Sequence, residues 1–292
     1  MGMQNGSADS NKFKDAYFTK PSDVDWCYKK LEALYGDLTG KTALEPACGS
    51  GVFVKAAPQM VWITNELFPE FSQGMTHDFG LDFAKGDRSV LGTYDFVIGN
   101  PPYGKASNLA RKFLLNALEH SSVVAMVLPK ALRRHTQWDK YVPADCKVVC
   151  EEDLPTQSFD LPDGSTKEVG TFFLVVERQD GYDRGLMCEY EPEGYKIFNR
   201  RYCKEERASE EEWWFDWATY GLVIWGSCGK FFGRERTKPF ASVMMFDFTD
   251  EQAEIVAKID WEPLIARTKT SVPALSAPEV ITAVNRALRC YS

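Results

Sequence analysis

Glu45, Glu66 and Asp87 stand 21 residues apart, and each closes a short apolar run: "TALE", "MVWITNE" and "LDFAKGD". A run of four to eight mostly apolar residues between polar punctuation reads as a strand buried on both faces. The same pattern recurs in "YDFVIGN", "SSVVAMVLP", "CKVVCEE" and "TFFLVVER". Helical spacing lies between such runs. In "PSDVDWCYKKLEALYG", Val24, Cys27, Tyr28, Leu31, Leu34 and Tyr35 share one helix face. Ser22 can cap its start, Asp25 suits the first turn and Gly36 can end it. "ASNLARKFLLNALEH" is a second amphipathic stretch. Strands alternating with helices from residue 21 to 178 predict the α/β class, a sheet covered by helices on both faces.

In open α/β sheets, ligands bind beyond the carboxyl ends of the strands. "LEPACGSGVF" puts Gly49 and Gly51 where a strand feeds a helix, and glycine lets a ligand approach the backbone. An acid about 20 residues beyond such a loop typically holds ribose hydroxyls, a role that fits Glu66. A later strand ends in "NPPYG". Pro101 and Pro102 fix their own φ angles and bias their predecessors toward extended backbone. The Asn100 side-chain oxygen beside the Pro101 carbonyl then offers two acceptors, which suit an NH₂ group with its two protons. Tyr103 adds a ring face for a flat heterocycle or amide.

The ordered set "DAYFTKP", "EPACGSGVF" and "NPPYG" resembles the S-adenosylmethionine-dependent methyltransferases of amino groups. In particular it resembles DNA adenine-N6 methyltransferases whose cofactor motif precedes the catalytic motif, the gamma arrangement. The likeness covers about residues 15–178. It implies a Rossmann-like methyltransferase fold with a seven-stranded, mostly parallel sheet, followed by a small C-terminal region. Tyr17, Phe18 and Thr19 would close over the methionine part of the cofactor, and Glu45, Pro46, Ala47, Cys48 and Gly49 would line its loop. Glu66 would hold the ribose and Asp87 the cofactor's adenine amino group.

The resemblance further implies that Asn100, Pro101, Pro102 and Tyr103 form the catalytic turn, with Asn100 also bordering the cofactor. Tyr103 would stack on the target base, and Phe172 or Phe173 of "GTFFLVV" would cover its other face. The implied reaction is methylation of the N6 amine of an adenine flipped out of duplex DNA. Cytosine-N4 enzymes usually carry Ser where this chain has Asn100, which favours adenine. Ribosomal RNA and protein glutamine methyltransferases share the NPPY motif and are the alternatives, with a non-catalytic cofactor-binding module as a third. "YFTKP" leading into a helix is typical of the DNA group. Only about 110 residues follow the catalytic region, too few for that family's large recognition domain, which points to relaxed recognition or to a restriction or recognition partner.

A net charge of −8 and a pI of about 5.1 exclude a surface coated in basic residues but leave room for a local basic groove. Lys130, Arg133 and Arg134, then Lys230 and Arg234, are the candidates for phosphate contacts. The eight cysteines form no CxxC pair and no His-completed site, so they read as reduced thiols of a cytoplasmic protein without a metal. Residues 1–14 are expected to be a loose polar tail, neither signal nor membrane span. From about Gly181 charge and aromatics rise, and 181–292 is expected to be a small region, a candidate DNA-recognition element. Trp213, Trp214 and Trp217 have the spacing of a core-facing stripe on an acidic helix rather than of a base-stacking platform.

Overall fold

The computed structural model describes residues 17–201, 214–234, 241–269 and 272–291. They divide into two units, one of residues up to 132 with 141–184, the other of 133–140 with 185 onward. The second unit resumes at Gly185. The eight-residue excursion at 133–140 carries no compositional sign.

The first unit runs β1 (Phe18–Thr19), α1 (Pro21–Tyr35), β2 (Thr42–Glu45), α2 (Val52–Ala56), β3 (Val61–Thr64), β4 (Phe96–Gly99), α3 (Asn108–Ala117), β5 (Val123–Pro129), β6 (Cys146–Asp153), β7 (Ser158–Asp160), β8 (Thr166–Glu168) and β9 (Thr171–Arg178). Its main sheet has the order β3-β2-β4-β5-β9-β6. The first four strands are mutually parallel, and β9 lies antiparallel between β5 and β6. Six described strands, not seven, make this sheet. The missing one is "LDFAKGD": Asp82 draws the Lys85 and Gly86 amides to its carbonyl and the Ala84 amide to its carboxylate, which curls the segment into a turn. Outside β3 only a single parallel bridge, Asn65 to Phe79, remains.

All seven residues of β5 and all four of β4 are buried, as continuous apolar runs under helices should be. Val24, Cys27 and Leu31 of α1 pack on Ile98, Ala125, Val127 and Val175. Each Val, Leu or Ile side chain among them contributes about 1.5–3 kcal/mol when fully buried. The α1 helix starts differently from expectation: Pro21 takes the first helical position, where no N–H is needed, and Ser22 lies inside rather than capping. Gly36 ends it at φ 74°, its N–H bonded to the Glu32 carbonyl. A small antiparallel sheet, β1-β7-β8, pairs Phe18 with Asp160 and Thr19 with Phe159.

The second unit contains α4 (His135–Tyr141) up to Lys140, β10 (Lys196–Arg201), β11 (Tyr220–Val223), β12 (Phe231–Gly233), β13 (Ser242–Asp247), α5 (Asp250–Val256), α6 (Glu262–Thr268) and α7 (Ala277–Tyr291). The four strands form an antiparallel sheet in the order β10-β13-β11-β12. Leu222, Met244 and Phe246 pack on Val256, Ile265, Val280 and Val284 of the helices. Val243 and Met245 point to the other face and meet Trp214, Phe215, Trp217 and Ala218. The packing role expected for the tryptophans therefore holds for Trp214 and Trp217, but 214–219 is a turn leading into β11 rather than a helix. Trp213 lies outside the described residues. No described helix is long and apolar enough to cross a membrane, and the seven described cysteines are free thiols.

Candidate active site

A cavity of ≈ 330 Å³ opens at the carboxyl ends of β2, β3 and β4. Its floor is the glycine loop. Gly49 and Gly51 hold φ angles of 49° and 71°, and a side chain at Gly51 would overlap the Met75 sulfur. The loop is pinned by Glu66, whose carboxylate accepts the Gly49 N–H at 2.8 Å and the Phe68 N–H at 2.9 Å. Asn65, fully buried, completes the frame: its amide donates to the carbonyls of Pro46 (2.9 Å) and Leu81 (3.0 Å) and accepts the Leu81 N–H (2.8 Å). Sequence reasoning passed over Asn65. The signal was there, because an amide at the end of a buried strand must find partners.

Tyr17, Phe18, Thr19, Glu45, Pro46, Ala47, Cys48, Gly49, Glu66 and Asn100 all line this cavity. Glu45 is 2% exposed, and its Oε2 has no partner. Burial first, and the Glu66 charge second, push its carboxyl pKa well up. Burial likewise lifts the Cys48 thiol to about 12, which makes it inert as a nucleophile.

Asp87 requires a correction. It is exposed, accepts the Ser89 N–H at 2.9 Å and borders a separate surface depression with Arg88 and His120. The acid that reaches the cavity is the half-buried Asp82, beside buried Phe83. The 21-residue series fails here because the chain between β3 and β4 is no strand-helix unit but turns with one 3-10 segment, Pro69–Phe71.

The NPPYG turn leaves β4 at the cavity's edge. The Asn100 amide nitrogen donates to the Tyr17 carbonyl and to the Thr19 hydroxyl oxygen, both at 3.0 Å. Its Oδ1 is buried and has no partner. Pro101 and Pro102 line the cavity. The Tyr103 carbonyl accepts the N–H groups of Leu109 (3.1 Å) and Ala110 (3.3 Å), fastening the turn to α3. Gly104, at φ 67°, has no room for a side chain against Leu109.

The Tyr103 ring is not a free face. It is 6% exposed and stacks on Tyr17, with centroids 5.4 Å apart and planes 24° from parallel. Burial pushes its hydroxyl pKa up. The edge partner of both rings is Phe159 of β7, at 6.4 Å from Tyr103 and 6.0 Å from Tyr17. Phe172 and Phe173, expected to cover the far side of a base, are fully buried in β9, and Phe173 packs on Trp26. Both face the core because strand β9 is buried along its first six residues. Phe159 was missed because it stands alone in a polar hairpin, "QSFDLPDG".

Four of the five basic candidates are buried or bonded within the protein. Lys130 pairs with Asp153 at 2.5 Å. Arg133 is 7% exposed. Arg134 meets the buried Glu279 at 2.9 Å and donates to the Ala274 carbonyl at 3.0 Å. Lys230 and Arg234 are exposed, and Arg234 donates to the Asp216 carbonyl at 3.1 Å.

No protein-family model matches the sequence, and no curated protein matches it. Solved structures similar to the chain include a candidate RNA methyltransferase from Pyrococcus horikoshii, at 20% identity and TM-score 0.43, covering 61% of this chain and 93% of that one. Another is the methyltransferase subunit of a type I restriction-modification system from Streptococcus thermophilus, at 16% identity and TM-score 0.41, covering 57% and 46%. A third is magnesium protoporphyrin IX methyltransferase from Synechocystis, solved with S-adenosylmethionine bound, at 14% identity and TM-score 0.39, covering 54% and 77%.

Proposed function

We propose that the protein transfers a methyl group from S-adenosylmethionine to an exocyclic NH₂ group, the N6 amine of adenine in DNA. The observation that carries this reading is the Asn100 Oδ1, a buried acceptor without a partner beside a cavity that also holds the orphan Oε2 of Glu45. A buried polar atom left unpaired costs about 1–3 kcal/mol, so each marks a place where a ligand group is wanted. Glu45 suits a cationic group, Glu66 a ribose, and Asp82 with Phe68 and Phe71 the amine and face of a purine. When bound, S-adenosylmethionine supplies a methyl group on a positively charged sulfur.

The chain's own part is to aim the acceptor nitrogen. An adenine amine is a poor nucleophile because its lone pair is delocalised into the ring. Holding its two protons on Asn100 Oδ1 and the Pro101 carbonyl favours a pyramidal nitrogen with its lone pair turned out. As the nitrogen gains carbon it loses one proton to water. Position and fixed dipoles supply the rate, so no strong base is required.

Adenine in DNA is favoured by Asn rather than Ser at position 100 and by the "YFTKP" segment leading into α1. Extruding the base costs a few kcal/mol, which stacking partly offsets. The C-terminal unit, with exposed Lys230 and Arg234, is the part left to meet DNA, alone or with a restriction partner. An amine of RNA or a protein glutamine would use the same two acceptors.

The test is to incubate the protein with labelled S-adenosylmethionine and, separately, unmethylated duplex DNA, ribosomal RNA and a cell protein extract. Mass spectrometry should find N6-methyladenine in the DNA, reduced at least 100-fold in Asn100→Ala while cofactor binding persists. Label in RNA or on glutamine would reassign the substrate, and label in none of the three would overturn the catalytic reading.

A further inference from the structure

We infer that the β1 segment positions the Asn100 amide that faces the substrate: the Tyr17 carbonyl decides which end points into the amine pocket, and the Thr19 hydroxyl holds the group in place. The inference rests on the proposed function for its catalytic consequence, though not for its structural content. A carboxamide is nearly symmetric in shape, and turning it by half a rotation exchanges an acceptor for a donor. Its surroundings decide between the two. The Tyr17 carbonyl can only accept, which decides the orientation; the Thr19 hydroxyl, able to donate or accept, accepts here and anchors the group, each 3.0 Å from the Asn100 nitrogen. Both amide protons are thus consumed on the β1 side. The oxygen is left pointing the other way, buried and without a partner.

A flipped amide would set two carbonyl oxygens against each other at Tyr17 and offer the pocket a donor. The constraint comes from residues 81 and 83 positions away. Thr19 is 4% exposed and held in register opposite Phe159 in the β1–β7 pair, so its hydroxyl stays in place. Thr19 is therefore a positioning residue that acts through Asn100, while the Tyr17 carbonyl determines which end of the amide the substrate meets. The pocket takes a group that donates, an NH₂, and rejects a ring that presents a carbonyl in the same place, as hypoxanthine does where adenine has its amine.

The test compares Thr19→Val, which keeps the shape and removes the hydroxyl, with Thr19→Ser, which restores it. In ligand-free protein labelled with ¹⁵N, the Asn100 NH₂ signal is identified by its loss in Asn100→Asp. Its protons should exchange with water faster in Thr19→Val and at the wild-type rate in Thr19→Ser. With DNA as substrate and saturating S-adenosylmethionine, Thr19→Val should lose about five- to tenfold in kcat. Thr19→Ser should recover that loss. Unchanged NH₂ exchange in Thr19→Val, or equal defects in Val and Ser, would overturn the inference. Methyl transfer to no substrate by the wild type would instead defeat the proposed function, and the exchange measurement would still decide this one.

Discussion

Glu45 shows what a single side chain gives up for a binding cavity. Its unfolded carboxyl titrates near 4.3, and burial raises the folded value well above that. Below about pH 4 both states carry the proton and no penalty exists. As the pH rises past the unfolded value toward the folded one, only the unfolded chain ionises, and the ligand-free protein loses stability. Glu45→Gln should therefore melt higher than wild type at pH 7, melt alike near pH 4, and bind S-adenosylmethionine more weakly. A melting temperature at pH 7 equal to or below wild type would contradict this account. The two aspartates separate in the same way. Asp82→Ala should raise the cofactor dissociation constant about tenfold through one lost hydrogen bond to a charged group, and Asp87→Ala should leave it unchanged; isothermal titration of both variants distinguishes them. Asp87 looked right because its spacing was regular, and spacing measures chain length rather than place.

The short strand β1 organises more chemistry than its two residues suggest. From it and its neighbour come the contacts that orient Asn100 and the Tyr17 ring that lies on Tyr103. A flipped base can stack on Tyr103 only after Tyr17 yields. Lys167 of β8 donates to the Tyr17 hydroxyl at 3.0 Å and lies 5.2 Å from the ring centroid, so the hairpin helps to hold the cover. Tyr17→Ala keeps the carbonyl and removes the ring. On a duplex carrying 2-aminopurine at the target position, the variant should show a larger fluorescence rise than wild type, since base-aromatic stacking is worth about 1–3 kcal/mol and no ring competes for it. A smaller rise would mean that Tyr17 supports the extruded base instead of standing in its place. "NPPYG" was legible because prolines dictate their own backbone. The cover over Tyr103 was not, because it depends on which loop lies above.

Across the whole molecule, the basic residues sort into those that hold the protein together and those left exposed. Arg134 and Glu279 are 145 positions apart in sequence and 2.9 Å apart in space, and Glu279 also takes the Ser276 hydroxyl and N–H. Removing one partner of a largely buried pair leaves the other charge uncompensated. Arg134→Ala should lower stability by about 3–5 kcal/mol, read by chemical denaturation. Lys230→Ala should instead spare stability and reduce the salt dependence of DNA binding. The apolar runs of β2 to β5 and β9, the glycine loop and the proline turn were written in consecutive residues, because two-sided burial and backbone restriction act on neighbours along the chain. The turn at Asp82, the ring of Phe159, the partner of Arg134 and the orientation of the Asn100 amide were not. Each is fixed by a group brought close only when the chain folds, and a sequence lists neighbours along the backbone rather than neighbours in space.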